Sequence, residues 1–365
     1  MSEPRHKRSS RRWLVWGAVG TALVVGGVVG GVIVGTTQSS GSSVNTATSA
    51  SSSTASACPV TSVAEQVIPS VVTIAASGPS GSGTGSGEVI RSGGYVLTNN
   101  HVISVAAASG GSVQVLFADG QTAPATITGR DPQTDLAVLH VQTSRELKVI
   151  SLGSSSSVKI GQPVVAIGAP LGLSGTVTSG IVSALDRTVE VPGENDKSAL
   201  LVSAVQTDAS INPGNSGGAL VNCEGKLVGV PTAGAAVPNS GGGSIGLGFA
   251  IPVDLAKRIA DEIIATGSAT HAFFGLQTVP IPPAAAEQAG LPEGLFVQVV
   301  TPSGPAAAAG LRPEDVITKI DGEPARSNIQ LQELTLTKKP GDTVSIEYTR
   351  DGQSATATIT LAAQP

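Results

Sequence analysis

Aromatic residues are scarce in this sequence: they make up 2% of the 365 residues, whereas glycine and proline number 46 and 23. A core with so few aromatic rings has to be built from aliphatic side chains, and the abundance of Gly and Pro indicates many turns. This composition is typical of a β-rich protein, and the length allows two or three domains.

Basic residues outnumber acidic ones at the start of the chain but not over its length. Residues 1–12 carry five Lys or Arg and one Glu, which is a local charge of +4. Because the net charge of the whole chain is −5, residues 13–365 together carry −9. Binding to nucleic acid requires a basic surface that meets the phosphates. The acidic body therefore argues against a nucleic acid partner.

Metal-ligand clusters and nucleotide-binding motifs are also missing from the sequence. The chain has four His and two Cys, and they do not occur with the spacing of a metal site. The glycine run at 81–87 does not fit the G-x-G-x-x-G pattern, and a strand rather than a helix is predicted after it. We therefore expect neither a metal nor an organic cofactor.

Charged residues are absent from Trp13–Gly35, a run of 23 residues. At about 1.5 Å per residue such a run can cross a hydrocarbon core, and the basic cluster before it predicts a cytoplasmic N-terminus. We predict a cytoplasmic tail at 1–12, an uncleaved transmembrane signal-anchor at 13–35 and a disordered Ser/Thr-rich linker at 36–58. A cleaved signal peptide, whose apolar region is normally shorter, is the alternative. The rest of the chain is then extracytoplasmic.

The two cysteines, Cys58 and Cys223, both fall on the predicted outer side of the membrane, where disulfides persist. A bridge between them would pin the N-terminal segment to the second half of residues 59–267. Two free thiols are the alternative, because sequence cannot check the separation that a disulfide requires.

Residues 59–267 contain two groups of about six short β-type runs. Val71–Ile74 belongs to the first group, and Lys226–Val230 belongs to the second. Two such groups predict two packed β-barrels. Apolar residues that recur every four positions over Asp254–Ala265 predict a closing helix, with Asp254 as its cap and Gly267 at its end.

Residues 272–363 are predicted to form a separate unit. Leu295–Val300 and Asp315–Ile320 are expected strands, and Pro305–Ala309 has the proline start and glycine stop of a one-turn helix. The alternation of apolar residues after Gly341-Asp342 predicts a further strand.

Three motifs carry the chemistry. Ser216 stands among glycines in Gly214–Gly218, which lets the backbone bend tightly and expose the hydroxyl; His101 follows Thr98-Asn-Asn, and Asp135 precedes Leu-Ala-Val-Leu. A serine hydroxyl becomes a good nucleophile only when a base removes its proton, and an Asp holds the His base in the correct tautomer. The order His, Asp, Ser is that of chymotrypsin-like proteases. These residues predict a serine endoprotease whose site lies between the barrels.

Other candidates for the base and the acid fit less well. His6 is in the predicted cytoplasmic tail, and His140 and His271 are expected to be surface or satisfied polar residues. Asp131 precedes a proline and is expected to be a turn residue, whereas Asp135 adjoins a buried strand and would need a partner there.

The loop before the serine has a second predicted task. Gly214, Asn215 and Ser216 are expected to form the oxyanion hole, with the N–H groups of Gly214 and Ser216 directed at the developing negative charge. The glycine run at 81–87 is interpreted as a backbone turn under the active site.

On these motifs the chain resembles the HtrA/Deg family of serine proteases, of the membrane-anchored actinobacterial type. The motifs that carry the resemblance are Thr98-Asn-Asn-His101-Val, Asp135-Leu-Ala-Val, Asn212-Pro-Gly-Asn-Ser216-Gly-Gly and Gly246-Leu-Gly-Phe-Ala-Ile-Pro252. The resemblance implies a mainly β fold: a chymotrypsin-like double barrel (59–267) followed by a PDZ domain (272–363), after the N-terminal transmembrane helix. It also implies ATP-independent degradation of misfolded cell-envelope proteins, with possible chaperone behaviour, and a homotrimer.

The resemblance further implies two substrate-binding regions. Ile211 would line a small apolar primary pocket, which Ser210 leaves without a carboxylate, so cleavage after Val or Ala is expected. Pro231 and Thr232 lie in the strand expected to pair with substrate. In the PDZ domain, Phe274, Gly275 and Leu276 would receive the C-terminal carboxylate of a peptide that adds a strand to the sheet.

Two functions remain possible from the sequence. The first is a regulated endoprotease that uses the Ser-His-Asp triad. The second is a membrane-tethered chaperone or PDZ scaffold with a dormant protease domain. The complete triad favours the enzyme, because a scaffold has no need of all three residues.

Overall fold

The fold is described by a computed structural model that covers residues 58–169, 175–194, 198–232 and 243–365, all within one compact unit, Ser56–Pro365. The predicted tail and signal-anchor, and the linker up to residue 57, lie outside the described residues. Within the described ranges, no helix combines the length and the apolar content that crossing a bilayer would demand.

The first half of the protein is a closed antiparallel barrel. Its strands are β1 (Val71–Gly78), β2 (Gly81–Arg91), β3 (Tyr95–Thr98), β4 (Ser112–Leu116), β5 (Thr122–Asp131) and β6 (Leu136–Val141), in the order β1-β2-β3-β6-β5-β4. Alternate residues point inward, so Ile74, Val89, Val115 and Leu139 fill the interior with aliphatic side chains. Helix α1 (Val60–Val67) precedes β1 in the chain but packs against the second barrel, and helix α2 (Asn100–Ile103) follows β3.

A second closed barrel follows. Its strands are β7 (Pro163–Gly168), β8 (Thr176–Pro192), β9 (Ser198–Thr207), β10 (Ala219–Asn222), β11 (Leu227–Thr232) and β12 (Gly248–Pro252), in the order β10-β11-β12-β9-β8-β7. The mainly β fold with two barrels, expected from the sequence, is confirmed.

Helix α3 (Val253–Thr266) closes the second barrel, and its buried stripe, which includes Ile259 and Ile263, packs between the barrels. The helix ends at Gly267, whose φ of 87° is left-handed, as the sequence predicts. The prediction that Asp254 caps the start is wrong. The capping position is Pro252, and the Asp254 carboxylate instead accepts hydrogen bonds from Ser154 Oγ, Ser155 Oγ and the Ser156 N–H at 2.8–3.1 Å.

The C-terminal residues form a six-stranded sheet with three helices. The elements are β13 (Ala272–Phe273), β14 (Leu276–Pro280), α4 (Pro283–Ala289), β15 (Leu295–Val300), α5 (Pro305–Ala308), β16 (Val316–Ile320), β17 (Glu323–Pro324), α6 (Asn328–Thr337), β18 (Thr343–Arg350), β19 (Gln353–Thr360) and β20 (Ala362–Ala363). The main path is β14-β15-β16-β18-β19, β17 pairs with β16, and β13 pairs with β20. Strand β14 is therefore an edge strand. Helix α4 was not anticipated from the sequence.

This sheet packs against the second barrel. Leu336 of α6 is buried against Leu200 and Val202 of β9, and Arg258 of α3 donates a hydrogen bond to the Leu336 carbonyl (2.6 Å). Thr188 Oγ1 also donates to the Glu333 carboxylate (2.9 Å). The C-terminal sheet is thus held to the barrels by both apolar and polar contacts.

A disulfide joins Cys58 to Cys223, with a Cα–Cα distance of 5.1 Å. Cys58 is separated from α1 by Pro59 alone, and Cys223 directly follows β10. Gln66 of α1 donates a further hydrogen bond to the Glu224 carbonyl. The bridge left open by the sequence is therefore present, and it fastens α1 to the second barrel.

Candidate active site

His101 and Asp135 are in direct contact. His101 lies on α2, which follows β3, and Asp135 directly precedes β6, the neighbour of β3 in the barrel. Their side chains meet at 2.8 Å between Nδ1 and Oδ2, and the His101 backbone N–H donates to Oδ1 at 2.9 Å. Because an ionised carboxylate can only accept, Nδ1 is the protonated nitrogen in the neutral form of the ring, and Nε2 is then free to act as the base. The imidazole is 36% exposed and the carboxylate 4%, so the pair presents His101 to the cleft.

The backbone of Asp135 is held in an unusual conformation. Its φ of 57° is left-handed, which costs free energy for a residue other than glycine. The Asp135 carbonyl accepts hydrogen bonds from the Asn100 N–H (3.1 Å) and from Asn99 Nδ2 (2.9 Å), and its carboxylate accepts a third from Thr232 Oγ1 (3.2 Å). The residues next to His101 thus fix the backbone that carries its partner.

Ser216 lies in the loop between β9 and β10, and this loop is fixed to the first barrel by Ser86 of β2. The Ser86 N–H donates to the Ser216 carbonyl (2.8 Å), and Ser86 Oγ donates to the Gly214 carbonyl (2.6 Å). Ser86 Oγ in turn accepts from the Ala169 N–H (2.8 Å). Sequence reasoning missed Ser86, and its only signal was its place in the glycine run.

Gly217 brings this loop against the strand that leads to His101. Its φ is 76°, and a Cβ added there would lie 2.4 Å from Thr98 Oγ1 and 2.8 Å from the Asn99 nitrogen. Only glycine fits such a close approach. The residue after Ser216 therefore packs on the residues just before His101, which places the predicted nucleophile and base in one cleft.

The glycine run at 81–87 is a strand, so the prediction of a turn is wrong. Gly81–Arg91 forms β2, and a Cβ on Gly83 or Gly85 would come within 2.6 Å of Val102 of α2. The glycines are required because helix α2, which carries His101, lies directly on this strand.

The predicted oxyanion-hole residues differ in backbone conformation and in whether their N–H groups are already hydrogen-bonded. Gly214 has a φ of 102°, open only to glycine, whereas the Asn215 N–H already donates to the Asn212 carbonyl (2.9 Å). A tight turn in the loop thus uses the Asn215 N–H, which is not one of the two predicted donors. Gly214 and Ser216 are the remaining candidates.

The predicted substrate-binding residues of the second barrel are buried. Ile211 packs against Gly248, where a Cβ would lie 2.6 Å from Ile211 Cγ1. The Pro231 carbonyl accepts from the Gly217 N–H (3.0 Å), and the Thr232 hydroxyl contacts Asp135. Pro231 and Thr232 thus support the catalytic loops, and their role as substrate contacts stays a prediction. Residues 233–242, which come next in the chain, lie outside the described residues.

The predicted carboxylate-binding loop lies between β13 and the edge strand β14. The carbonyls of Phe274 and Gly275 accept hydrogen bonds from the N–H groups of Ala306 (2.9 Å) and Thr301 (2.8 Å). Gly275 has a φ of 74°, and Leu276 packs partly into the C-terminal core. Both carbonyls of the loop are therefore bonded to the segment between β15 and α5 and to the start of α5.

His271 and Asp131 form a second, buried pair. His271 Nε2 lies 2.9 Å from both carboxylate oxygens of Asp131, which also accept from Thr134 Oγ1 and the Gln133 N–H. Asp131 is therefore the end of β5 and the anchor of the loop that leads to Asp135, not simply a turn residue. His140 lies on β6, half-buried, with its ring tilted against Tyr95.

Among the residues that the structure describes, no group of three or more His, Cys, Asp or Glu side chains is arranged to hold a metal ion.

Comparisons with known proteins agree with this geometry. Residues 85–230 match a family model described as a trypsin-like peptidase domain, and residues 272–361 match one described as a PDZ domain. The chain is similar to a serine protease, PepD, of Mycobacterium tuberculosis (46% identical over 312 residues, 83% of this chain and 66% of the relative). It is also similar to a periplasmic pH-dependent serine endoprotease, DegQ, of Escherichia coli (39% over 282 residues, 76% and 59%).

Among solved structures, the chain is similar to an HtrA-type protease, AlgW, bound to a decapeptide. The identity is 33%, the TM-score is 0.65, and the match covers 84% of this chain and 99% of the other. The chain spans between about half and two thirds of the length of the curated relatives it matches.

Proposed function

Since the chain belongs to the HtrA family of serine proteases, we propose that it is an ATP-independent endoprotease that degrades unfolded or misfolded cell-envelope proteins. The observation that carries this proposal is the hydrogen-bonded pair of His101 and Asp135 beside the Ser216 loop. A purely structural role would not require a half-exposed imidazole aligned by a buried carboxylate.

In the proposed mechanism, Ser216 Oγ attacks the carbonyl carbon of the scissile bond while His101 Nε2 removes its proton. Asp135 keeps the proton on Nδ1 and stabilises the imidazolium that forms. The N–H groups of Gly214 and Ser216 hold the oxyanion, and each such donor typically contributes about 3–4 kcal/mol to the transition state. His101 then protonates the leaving amine, and water, activated in the same way, hydrolyses the ester on Ser216.

The residue before the scissile bond is proposed to be small and apolar. Ile211 brings an aliphatic side chain next to the loop, and Ser210, which precedes it, carries no charge that would hold Lys or Arg. Val and Ala are the expected residues. A substrate has to enter the cleft extended, so unfolded chains are the expected substrates.

The C-terminal domain is proposed to bind peptide C-termini and to regulate the protease. The left-handed Gly275 and the edge strand β14 are the features that support this proposal. A peptide would add a strand beside β14, with its carboxylate at Phe274–Leu276. Contacts of α6 with β9 and α3 offer a route by which binding could reach the barrels.

The remaining proposals concern location and assembly. The uncharged run 13–35 would anchor the protein by one N-terminal helix in the cell membrane, with the protease and PDZ domains outside. The family resemblance supports a homotrimer.

The test is digestion of β-casein by the full chain in detergent. The protein should degrade casein without ATP, and Ser216→Ala should not. Suppression of client aggregation by both forms, without cleavage by either, would replace the protease with the tethered chaperone or scaffold.

A further inference from the structure

Ser86 of β2 has a buried hydroxyl that is hydrogen-bonded on both sides. Its Oγ accepts a hydrogen bond from the Ala169 N–H (2.8 Å), directly after β7, and lies 2.6 Å from the Gly214 carbonyl oxygen. Because an N–H can only donate, the single proton of the hydroxyl is left for the Gly214 carbonyl. The direction of the bond from Ser86 to the loop of Ser216 is therefore fixed.

The carbonyl that Ser86 holds belongs to a peptide unit that is fastened at both ends. The unit between Gly214 and Asn215 presents its carbonyl to Ser86 and its N–H to the Asn212 carbonyl (2.9 Å). A peptide unit is planar, so a hydrogen bond on each side fixes its rotation about the chain. The first barrel supplies one of these two bonds, and the loop itself supplies the other.

The next peptide unit, between Asn215 and Ser216, is held within the second barrel. The Asn215 carbonyl accepts from the Gly218 N–H (3.0 Å), and Asn215 Nδ2 donates to the Ser210 carbonyl (3.2 Å). In a trans peptide the N–H and the carbonyl point in opposite directions, so the bond from Gly218 sets the direction of the Ser216 N–H. This predicted oxyanion donor is therefore oriented without Ser86.

The other predicted donor, the Gly214 N–H, depends on Ser86. The φ of Gly214 is 102°, and a glycine has no side chain that would favour this conformation over others. The preceding Pro213 has its φ locked by its ring, so the freedom in this part of the loop lies at Gly214. The rotation of Gly214 is decided by the peptide unit that follows it, which Ser86 ties to the first barrel.

From this geometry we infer that the Ser86 hydroxyl is a positioning group for the oxyanion hole. By holding the Gly214 carbonyl, it keeps the Gly214 N–H directed at the oxygen that becomes negative in the transition state. Ser86 is completely buried, and its one hydroxyl proton is used by Gly214, so it acts on the reaction through Gly214. This inference rests on the proposed protease function, to which it adds a residue of the first barrel.

Hydrolysis of the p-nitrophenyl ester of N-acetyl-valine by the full chain in detergent tests the inference. Loss of an oxyanion donor typically costs about 10²–10³ in kcat, and for Ser86→Ala, which displaces a donor, we expect a fall of about 50-fold. Acylation and deacylation both pass through an oxyanion, so both should slow alike and KM should change little. The pH dependence of kcat/KM should keep its midpoint, because the pair of His101 and Asp135 is untouched.

Thr207→Val is the matched control. The Thr207 hydroxyl is also buried, donates to the Ile181 carbonyl (2.8 Å) and accepts from the Ala209 N–H (3.1 Å). Its removal takes away the same two kinds of hydrogen bond, so the loss of stability in urea unfolding should be comparable, at about 1–3 kcal/mol. The kcat of Thr207→Val should stay close to that of the wild type. Equal falls in kcat for the two variants would mean general loosening of the fold and would overturn the inference.

The trifluoromethyl ketone of N-acetyl-valine reports on the oxyanion hole directly. Ser216 Oγ bonds to the ketone carbon, the hydroxyl proton passes to His101 Nε2, and the ketone oxygen becomes an oxyanion in the hole. The inhibition constant should therefore rise in Ser86→Ala by about the factor by which kcat falls. A lower kcat with an unchanged inhibition constant would place the defect elsewhere and overturn the inference.

Ser86→Cys is a second variant in case Ser86→Ala does not fold. A thiol is a weak donor of nearly the same shape, so kcat should fall less than in Ser86→Ala, by about tenfold. A folded Ser86→Cys or Ser86→Ala with the kcat of the wild type would overturn the inference while the protease stands. Ester hydrolysis by the wild type no faster than by Ser216→Ala would instead refute the proposed function, and the inference with it.

Discussion

Glu88 provides a test of the packing between the two barrels. It lies on β2, directly opposite Val71 and Leu97, and its side chain is completely buried. Neither carboxyl oxygen has a partner among the described side chains and backbone groups. Burial raises the pKa of Glu88 well above its ordinary value and outweighs the opposing effect of the residue's own backbone N–H. The carboxyl is therefore protonated over a wider pH range in the folded protein than in the unfolded chain.

The sign of the effect on stability follows from proton binding. Between the ordinary pKa of 4.5 and the raised native pKa, the native state holds one proton more than the unfolded state, so the free energy of unfolding falls as the pH rises. The loss is at most about 1.4 kcal/mol per pH unit, and it stops above the native pKa. Glu88→Gln cannot titrate, so its free energy of unfolding lacks this pH-dependent loss. The difference in stability between Glu88→Gln and the wild type should therefore shift in favour of the variant as the pH rises, by up to this slope. Glu88→Leu, which also removes two unpaired polar atoms, should be roughly 1–3 kcal/mol more stable than Glu88→Gln.

The assay is urea unfolding of the full chain in detergent, followed by far-UV circular dichroism from pH 5 to pH 9. Glu65→Gln, an exposed glutamate of α1, is the matched control and should show no pH-dependent difference from the wild type. A constant difference between wild type and Glu88→Gln from pH 5 to pH 8 would refute the reasoning, because it would mean that the buried carboxyl is already ionised and paired.

Three further predictions concern the site and its supports. Asp135→Asn should lower kcat on a chromogenic ester by about 10⁴-fold with little change in KM, because the amide favours the wrong tautomer of the base; a loss below tenfold would contradict the role of the pair. His271→Phe should destabilise the protein by about 1–3 kcal/mol in urea unfolding, since it removes one of the donors to the buried Asp131 carboxylate, which keeps those of Thr134 and Gln133. His271→Gln, which keeps a donor, should lose less, and equal losses would show that ring packing rather than the hydrogen bond matters. Replacing Cys58 and Cys223 by Ser should cost about 2–4 kcal/mol, and reduction of the wild type by dithiothreitol should give the same loss. An unchanged midpoint would show that α1 stays docked without the bridge.

The parts of the site that the sequence could predict are those with a local signature. His101 and Asp135 stand close to strand ends, and Ser216 stands among glycines that suit a tight backbone. Gly267 and the alternating strands were predictable for the same reason. The C-terminal sheet followed from turn residues such as Asp321-Gly322.

The parts that were missed depend on contacts between residues far apart in the chain. Ser86 reaches Gly214 across 128 positions, and Thr232 reaches Asp135 across 97, so neither hydrogen bond has a local signal. The same holds for His271, which lies 140 positions from Asp131. Asp254 was assigned to the cap of its own helix because the serines that bind it lie about 100 positions earlier.

Covalent trapping of the nucleophile tests the central claim most directly. The full chain is treated with a peptidyl phosphonate ester that ends in valine, and the adduct is located by mass spectrometry after digestion. The proposed mechanism predicts one adduct on Ser216 in the wild type, and no adduct in His101→Ala over the same time. Labelling of Ser216 at equal rates in both proteins, or labelling at another residue, would contradict the role of His101 as the base for Ser216.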